Sequence, residues 1–168
     1  MLDMAVLAIF PGLMLFAAVS DLLTMTIPNR VSLILVAGFF ALALVMRLPP
    51  NVMAWHAAAG VFVLAAGFLM FNFGWIGGGD AKLAAATSLW LGFGALASYG
   101  VLAAVFGGLL TLGVLALRRL ALPAGLSSMG WLARLHDEKS GVPYGIALAL
   151  AGLVVYPESA IWLTAKAF

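Results

Sequence analysis

Six long apolar stretches, each ended by proline, glycine, a polar cluster or a charge, leave this chain few ways to fold. They run from about Met4 to Leu22, Val31 to Met46, Val52 to Phe73, Ala81 to Phe93 or Leu96, Ser98 to Leu117, and Val142 to Tyr156. A helix needs about 20 mostly apolar residues to cross the hydrocarbon of a bilayer. Of the 168 residues, 65% are hydrophobic and 8% charged, where a soluble domain carries about a quarter charged. A soluble fold of this length could not hide so much apolar surface, and the mean hydropathy of +1.19 agrees. The expected fold class is all-α: a polytopic integral membrane protein with about six transmembrane helices, forming a single domain over 1–168. The first stretch has no basic residue ahead of it and no clear cleavage site, so it reads as a retained span rather than a signal peptide. Pro11-Gly12 inside it marks a place for a kink. The second stretch is short, and Arg47 can extend it by snorkelling.

The breaks carry their own signals. Thr24 to Arg30 reads as a turn: Pro28 lacks a backbone donor and biases Ile27 away from helix, and Asn29 can cap the second stretch. Trp55 and Trp75 flank the third stretch at headgroup level. Ala81, Ala85, Ser88 and Gly92 put small residues on one helical face, where another backbone can come close. In the polar stretch from Arg118 to Gly141, residues 127–135 read as a short interfacial helix, and 161–168 as an interfacial tail. Six spans put Arg30, Lys82, Arg118, Arg119, Arg134 and Lys139 on one side, with Arg47 and Lys166 on the other. The positive-inside rule makes the first side cytoplasmic. The net charge of +2 comes from few, scattered basic residues. It sets orientation in the bilayer and gives no basis for nucleic-acid binding.

With no cysteine in the chain, disulfides, thiolate metal sites and cysteine nucleophiles are excluded. The acids are Asp3, Asp21, Asp80, Asp137, Glu138 and Glu158. Asp3 and Glu158 fall near the outer face, and Asp137 and Glu138 form a solvated cluster with Arg134 and Lys139. Only Asp21 and Asp80 lie at cytoplasmic ends of apolar spans, Asp80 within Gly77-Gly78-Gly79-Asp80-Ala81-Lys82. Two carboxylates brought together at low dielectric cannot both ionise easily. One keeps its proton, and the pair suits activation of water and protonation of a leaving amine without metal or thiol. Structural roles fit the same residues: Asp80 as a helix N-cap, the glycines as a tight turn, Asp21 as a solvated helix-end residue, Lys82 as a topology signal. His56, next to Trp55 on the outer side, reads as an interfacial histidine, and His136 sits in a charged loop, so neither is expected to ligate a metal.

Three stretches resemble a known family. Asp21-Leu22-Leu23-Thr24-Met25-Thr26-Ile27-Pro28-Asn29 resembles the first catalytic motif of type IV prepilin peptidases. Ile76-Gly77-Gly78-Gly79-Asp80-Ala81-Lys82-Leu83 is similar to the second, the Gly-x-Gly-Asp signature of intramembrane aspartyl proteases. Val142-Pro143-Tyr144-Gly145-Ile146-Ala147-Leu148 resembles the family's late Pro-aromatic-Gly motif. The resemblance implies that Asp21 and Asp80 are the catalytic pair. It implies that Gly77 and Gly79 let Asp80 approach its partner and the substrate, and that Lys82, Pro28, Asn29, Pro143, Tyr144 and Gly145 shape the site. It further implies a multi-pass protein of the plasma (inner) membrane that uses no metal or other cofactor. Such a protein cuts basic leaders from prepilin or pseudopilin substrates at the cytoplasmic face. Larger relatives carry a cysteine-containing methyltransferase segment; none fits here, so the chain resembles the short stand-alone peptidases of tight-adherence (Flp-type) pilus systems. In those relatives the loop after the first Asp is often basic, whereas Leu23, Met25 and Thr26 here are uncharged. Two other function classes stay open on residues alone: a small proton- or ion-coupled transporter using the acids as a relay, and a non-catalytic membrane subunit of a secretion machine.

Overall fold

An apolar chain satisfies its backbone donors and acceptors most readily within helices, and every regular element among the described residues is a helix. The computed structural model describes residues 2–121, 123, 125 and 128–165, the side chains of 2–7 and 165 excepted. The elements are α1 (Leu2–Thr24), α2 (Asn29–Val45), α3 (Pro50–Asn72), α4 (Gly78–Arg118), α5 (Gly130–His136) and α6 (Gly145–Val155). A 3-10 turn (Tyr156–Glu158) and α7 (Ala160–Ala165) complete the chain. α1 continues through Pro11. α3 and α4 are long and apolar enough to cross a membrane, while Ala8–Thr24, Asn29–Val45 and Gly145–Glu158 are shorter apolar helices.

Left-handed residues stop the first three helices: Met25 (φ 56), Arg47 (φ 52) and Gly74 (φ 72). The chain then turns back with the closing bonds such ends allow, Leu48 N–H to Ala43 O at 2.9 Å and Trp75 N–H to Met70 O at 3.0 Å. Pro28, not Asn29, is the N-cap of α2, and no side chain caps that helix. Asn29 is its first helical residue, which frees its amide for another partner.

The fourth apolar stretch was expected to end at Phe93 or Leu96, with the fifth starting near Ser98. α4 breaks at Gly92, next to the earlier of those bounds, where φ of 68° and ψ of 177° are not helical. Its two arms, 78–91 and 93–118, fold back on each other. Asp80 and Ala103 line one cavity, though a straight helix would hold them about 35 Å apart. Gly92 therefore marks the bend, rather than belonging to the small-residue face. His56 supports it: its Nδ1 lies 2.9 Å from the Leu89 carbonyl, which loses its regular partner where the helix breaks. His56 is 5% exposed and stacks on Phe39. An interfacial histidine was expected here; the residue is a buried clasp on the bend.

α3 packs on the first arm of α4 through small residues. A Cβ on Gly67 would come 3.0 Å from Ala81 Cβ, and one on Gly60 would come 3.3 Å from the Ala85 carbonyl. α2 leans on the same arm, where Trp90 Nε1 donates to Leu35 O at 2.9 Å. Phe10, Trp90 and Tyr156 cluster at the centre, the Phe10 and Tyr156 rings stacked 4.3 Å apart and Trp90 edge-on to Tyr156. Large apolar side chains such as Leu33, Leu44, Val61 and Leu112 face outward.

The surface-helix expectation is met in part, since α5 starts at Gly130 and Ser127 lies outside the described residues. α5 is tied down rather than free. Leu132 and Leu135 are buried, and the Arg134 guanidinium donates to Leu23 O at the end of α1. Arg118 donates to Leu135 O at 2.9 Å, Ser140 O at 2.8 Å and Gly141 O at 2.9 Å. The 161–168 tail also differs over its described part: Ile161 is fully buried, and Trp162 packs edge-on to Tyr156. Lys166 lies outside the described residues.

Candidate active site

Asp21 sits on the last turn of α1 and is 5% exposed. The turn after it is pinned by short-range hydrogen bonds. Met25 N–H reaches Asp21 O at 2.8 Å, Ser20 Oγ donates to Thr26 O at 3.0 Å, and Thr24 Oγ1 donates to Ser20 O at 2.8 Å. These bonds send the chain back so that Ile27 enters the bundle while Pro28 and Asn29 stay at its surface. A polar turn of uncharged residues thus sets the spacing between Asp21 and Ile27-Pro28-Asn29.

Ile27 is where the three motifs meet. A Cβ on Gly79 would come 3.3 Å from Ile27 Cβ. A Cβ on Gly145 would come 2.7 Å from Ile27 Cδ1 and 2.8 Å from Asp21 Oδ2. Both glycines are thus required by close approach. The tight turn that the alternative structural reading allowed at the glycine run is absent: Gly77 is extended (φ −71°, ψ 146°) and Gly78 opens α4. Gly77 is the N-cap, so Asp80 is not; it lies in the first helical turn and accepts a hydrogen bond from the Gly77 N–H. That reach back to the N-cap donor has the form of a capping box. A Cβ on Gly77 would come 2.8 Å from Asp80 Oδ2.

Asp21 takes its own anchor from the far end of the chain. Gly145 N–H, at the start of α6, donates to Asp21 Oδ2 at 2.7 Å. Each carboxyl therefore sits at the N-terminus of a helix, Asp21 at α6 and Asp80 at α4, where the helix dipole favours negative charge. The two acids are electrostatic neighbours, and Ile27 separates the glycines beside them. Asp21 is not the solvated helix-end residue that one reading allowed.

Of the remaining site-shaping candidates, Tyr144 lines the same cavity as Asp80, whereas Lys82 and Asn29 line a separate groove between α2 and α3. Lys82 Nζ donates to Asn29 Oδ1 at 2.9 Å, joining the first and second motifs. Pro143 is fully buried. Tyr144 donates its hydroxyl to Ala103 O at 3.2 Å, and its ring lies where a Cβ on Gly107 would be. A cavity of about 900 Å³ opens beside Asp80, walled by α3 (Phe62, Ala66), both arms of α4 (Ser88, Tyr99) and Tyr144. Asp80 lines it, whereas Asp21 lies behind. Among the described residues no group of three or more His, Asp or Glu side chains could hold a metal ion.

Sequence reasoning passed over Ile27 as a site residue, although it stands in the quoted motif. An apolar side chain between two acids carries no chemical signal of its own. The bonds from Arg118 and Arg134 to main-chain carbonyls were equally hidden, because charge pattern reports only which side of a membrane a residue prefers.

No curated protein and no solved structure matches the chain. A family model, described as the type IV leader peptidase family, matches residues 8–112. That match contains both acids, Ile27 and the glycine run, and stops short of α6. It covers more than half of the chain, so this protein belongs to the type IV leader peptidase family and is, by that membership, a peptidase.

Proposed function

We propose that the protein is a membrane-embedded aspartic endopeptidase that removes the short basic leader from type IV or Flp-type prepilins at the cytoplasmic membrane face. The observation that carries the reading is the convergence of Asp21 and Asp80 around Ile27, with Asp80 at the wall of an apolar cavity. Substrates of this class join a charged leader to an apolar helix. The apolar part would occupy the cavity between α3, α4 and Tyr144 while the leader stays in water. A helix hides its peptide bonds, so the cleavage point must be extended, and a glycine there lowers the cost of unwinding by about 1 kcal/mol relative to alanine. One ionised aspartate draws a proton from water as it attacks the carbonyl. The protonated partner supports the developing oxyanion and then supplies the proton to the leaving amine. The proton belongs to the pair rather than to either residue.

Six spans, from α1, α2, α3, the two arms of α4 and α6, would put both acids on the side rich in basic residues. Lys82, Arg118 and Arg134 hold that end together through bonds to Asn29, the 135–141 segment and Leu23. Placement of both acids at one end supports a peptidase over an ion relay, which needs groups across the bilayer. The reading includes one domain, no methyltransferase activity and no cofactor.

The test is co-expression with a prepilin and a gel-shift assay for leader removal. Asp21→Asn and Asp80→Asn should each abolish processing while the protein still accumulates in the membrane. Normal cleavage by either variant would overturn the two-acid mechanism.

A further inference from the structure

A second concavity lies on the other side of α4's first arm. α2 and α3 both pack on that arm but hardly on each other, leaving a groove of about 460 Å³ between them. Its floor is Ala85, Ala86 and Leu89, and its walls include Val36 and Val61. The lining is apolar except towards one end, where Lys82 and Asn29 form the mouth and Ser32 lies one helical turn in. Lys82 is exposed. Its ammonium gives one donor to Asn29 Oδ1, and an ammonium has three donors, so, among the described residues, two remain for a ligand. Arg30 lies at the same helix end.

The groove's length says what fits. Along α2 it runs from Asn29 to Phe40, about 16 Å at helical rise. One leaflet of bilayer hydrocarbon is about 15 Å deep, half of the whole core. A slot one leaflet deep, closed by a cation at the headgroup level, matches a single acyl chain beneath a phosphate. It does not match a substrate helix, which needs a full span of length. A basic leader would also meet Lys82 and Arg30 as like charges, while the larger cavity beside Asp80 carries no lysine or arginine.

We propose that this groove is a binding site for an anionic glycerophospholipid, with one acyl chain between α2 and α3 and the phosphate on Lys82. The inference rests on the membrane reading but not on the peptidase mechanism, and its primary readout, lipid retention, is measured without substrate. Full-length protein, purified in detergent, is titrated with phosphatidylglycerol and with phosphatidylcholine and analysed by native mass spectrometry. One phosphatidylglycerol adduct should persist in preference to phosphatidylcholine. Lys82→Gln should lower that preference about fivefold, the weight of one basic residue facing an anionic surface. Val61→Trp, a lipid-facing change that fills the groove, should remove the adduct of either lipid while the protein's helical circular dichroism is unchanged. Equal retention of both lipids, or an adduct insensitive to both variants, would overturn the assignment. So would a photoreactive prepilin helix that labels Val61 in preference to Ala66 in the Asp80 cavity, since the groove would then belong to the substrate. Loss of leader cleavage in the aspartate variants with lipid retention intact would keep the two proposals separate.

Discussion

Gly145→Ala is the sharpest perturbation of the site, because it adds one methyl group and removes nothing. The new Cβ would lie 2.7 Å from Ile27 Cδ1, 2.8 Å from Asp21 Oδ2 and 3.2 Å from Asp21 Cβ. Ordinary contact begins near 3.4 Å, so Ile27 and Asp21 must each withdraw by about half an ångström or more. Asp21 cannot withdraw freely, since its Oδ2 is held at 2.7 Å by the N–H of the same glycine. Overpacking of this kind costs about 1–3 kcal/mol, and weakening a hydrogen bond to a charged group costs a similar ~1.5–3 kcal/mol. Catalytic groups misplaced by about an ångström lose on the order of a hundredfold in rate. Leader removal, followed over time in membranes carrying the variant, should therefore slow by about one to two orders of magnitude at unchanged protein level. Gly113→Ala supplies the control, because a Cβ at Gly113 meets nothing within 4 Å. Ile27→Val in the Gly145→Ala background removes the closest contact and should restore part of the rate. Wild-type processing by Gly145→Ala would refute the view that Gly145 positions Asp21.

Other consequences can be measured alongside it. Ile27→Ala empties the space between Gly79 and Gly145; it should lower stability by about 2–5 kcal/mol, read as a drop in thermal midpoint in detergent, and cut processing strongly. Gly107→Ala displaces the Tyr144 ring and should slow cleavage more than Tyr144→Phe, which loses only the bond to Ala103 O, worth about 1 kcal/mol. His56→Ala leaves the Leu89 carbonyl unpartnered and a void beside Phe39; it should lower the thermal midpoint, with partial recovery in His56→Gln, where an amide donor returns. Arg118→Ala frees three carbonyls between Leu135 and Gly141 and should make the 119–141 segment an early target in limited proteolysis.

Much of this was legible in the chain. The scarcity of charge against long apolar runs pointed to helices packed in an apolar setting, and the positions of Asp21 and Asp80 singled them out among the acids. The glycine run was recognised, but for a different reason from the one the structure gives. A sequence shows that glycine is permitted, not whether it serves a dihedral or a contact. Gly77 and Gly79 serve contacts, while Gly92, read as one of several small residues on a face, takes the unusual dihedral. The bend at Gly92 was hidden because the residues around it are as apolar as a helix interior, and a one-residue turn leaves no polar run behind. His56 was misread for the same reason: its partner, a backbone carbonyl, has no sequence signature. Asn29 was assigned to capping its own helix, whereas Pro28 holds that place and the amide meets Lys82 across the bundle.

The bond between Gly145 and Asp21 joins residues 124 positions apart, which has a consequence for the order of events in biosynthesis. As the chain emerges from the ribosome, α1 to α4 can enter the membrane and bring the glycine run up to Ile27. The buried carboxyl of Asp21 stays unanchored until α6 has been made and seated. The proposed catalytic pair is therefore completed by the last of the six proposed spans to be synthesised. A chain stopped before Gly145 would hold both aspartates and the entire glycine motif and yet lack the N–H that anchors the first of them.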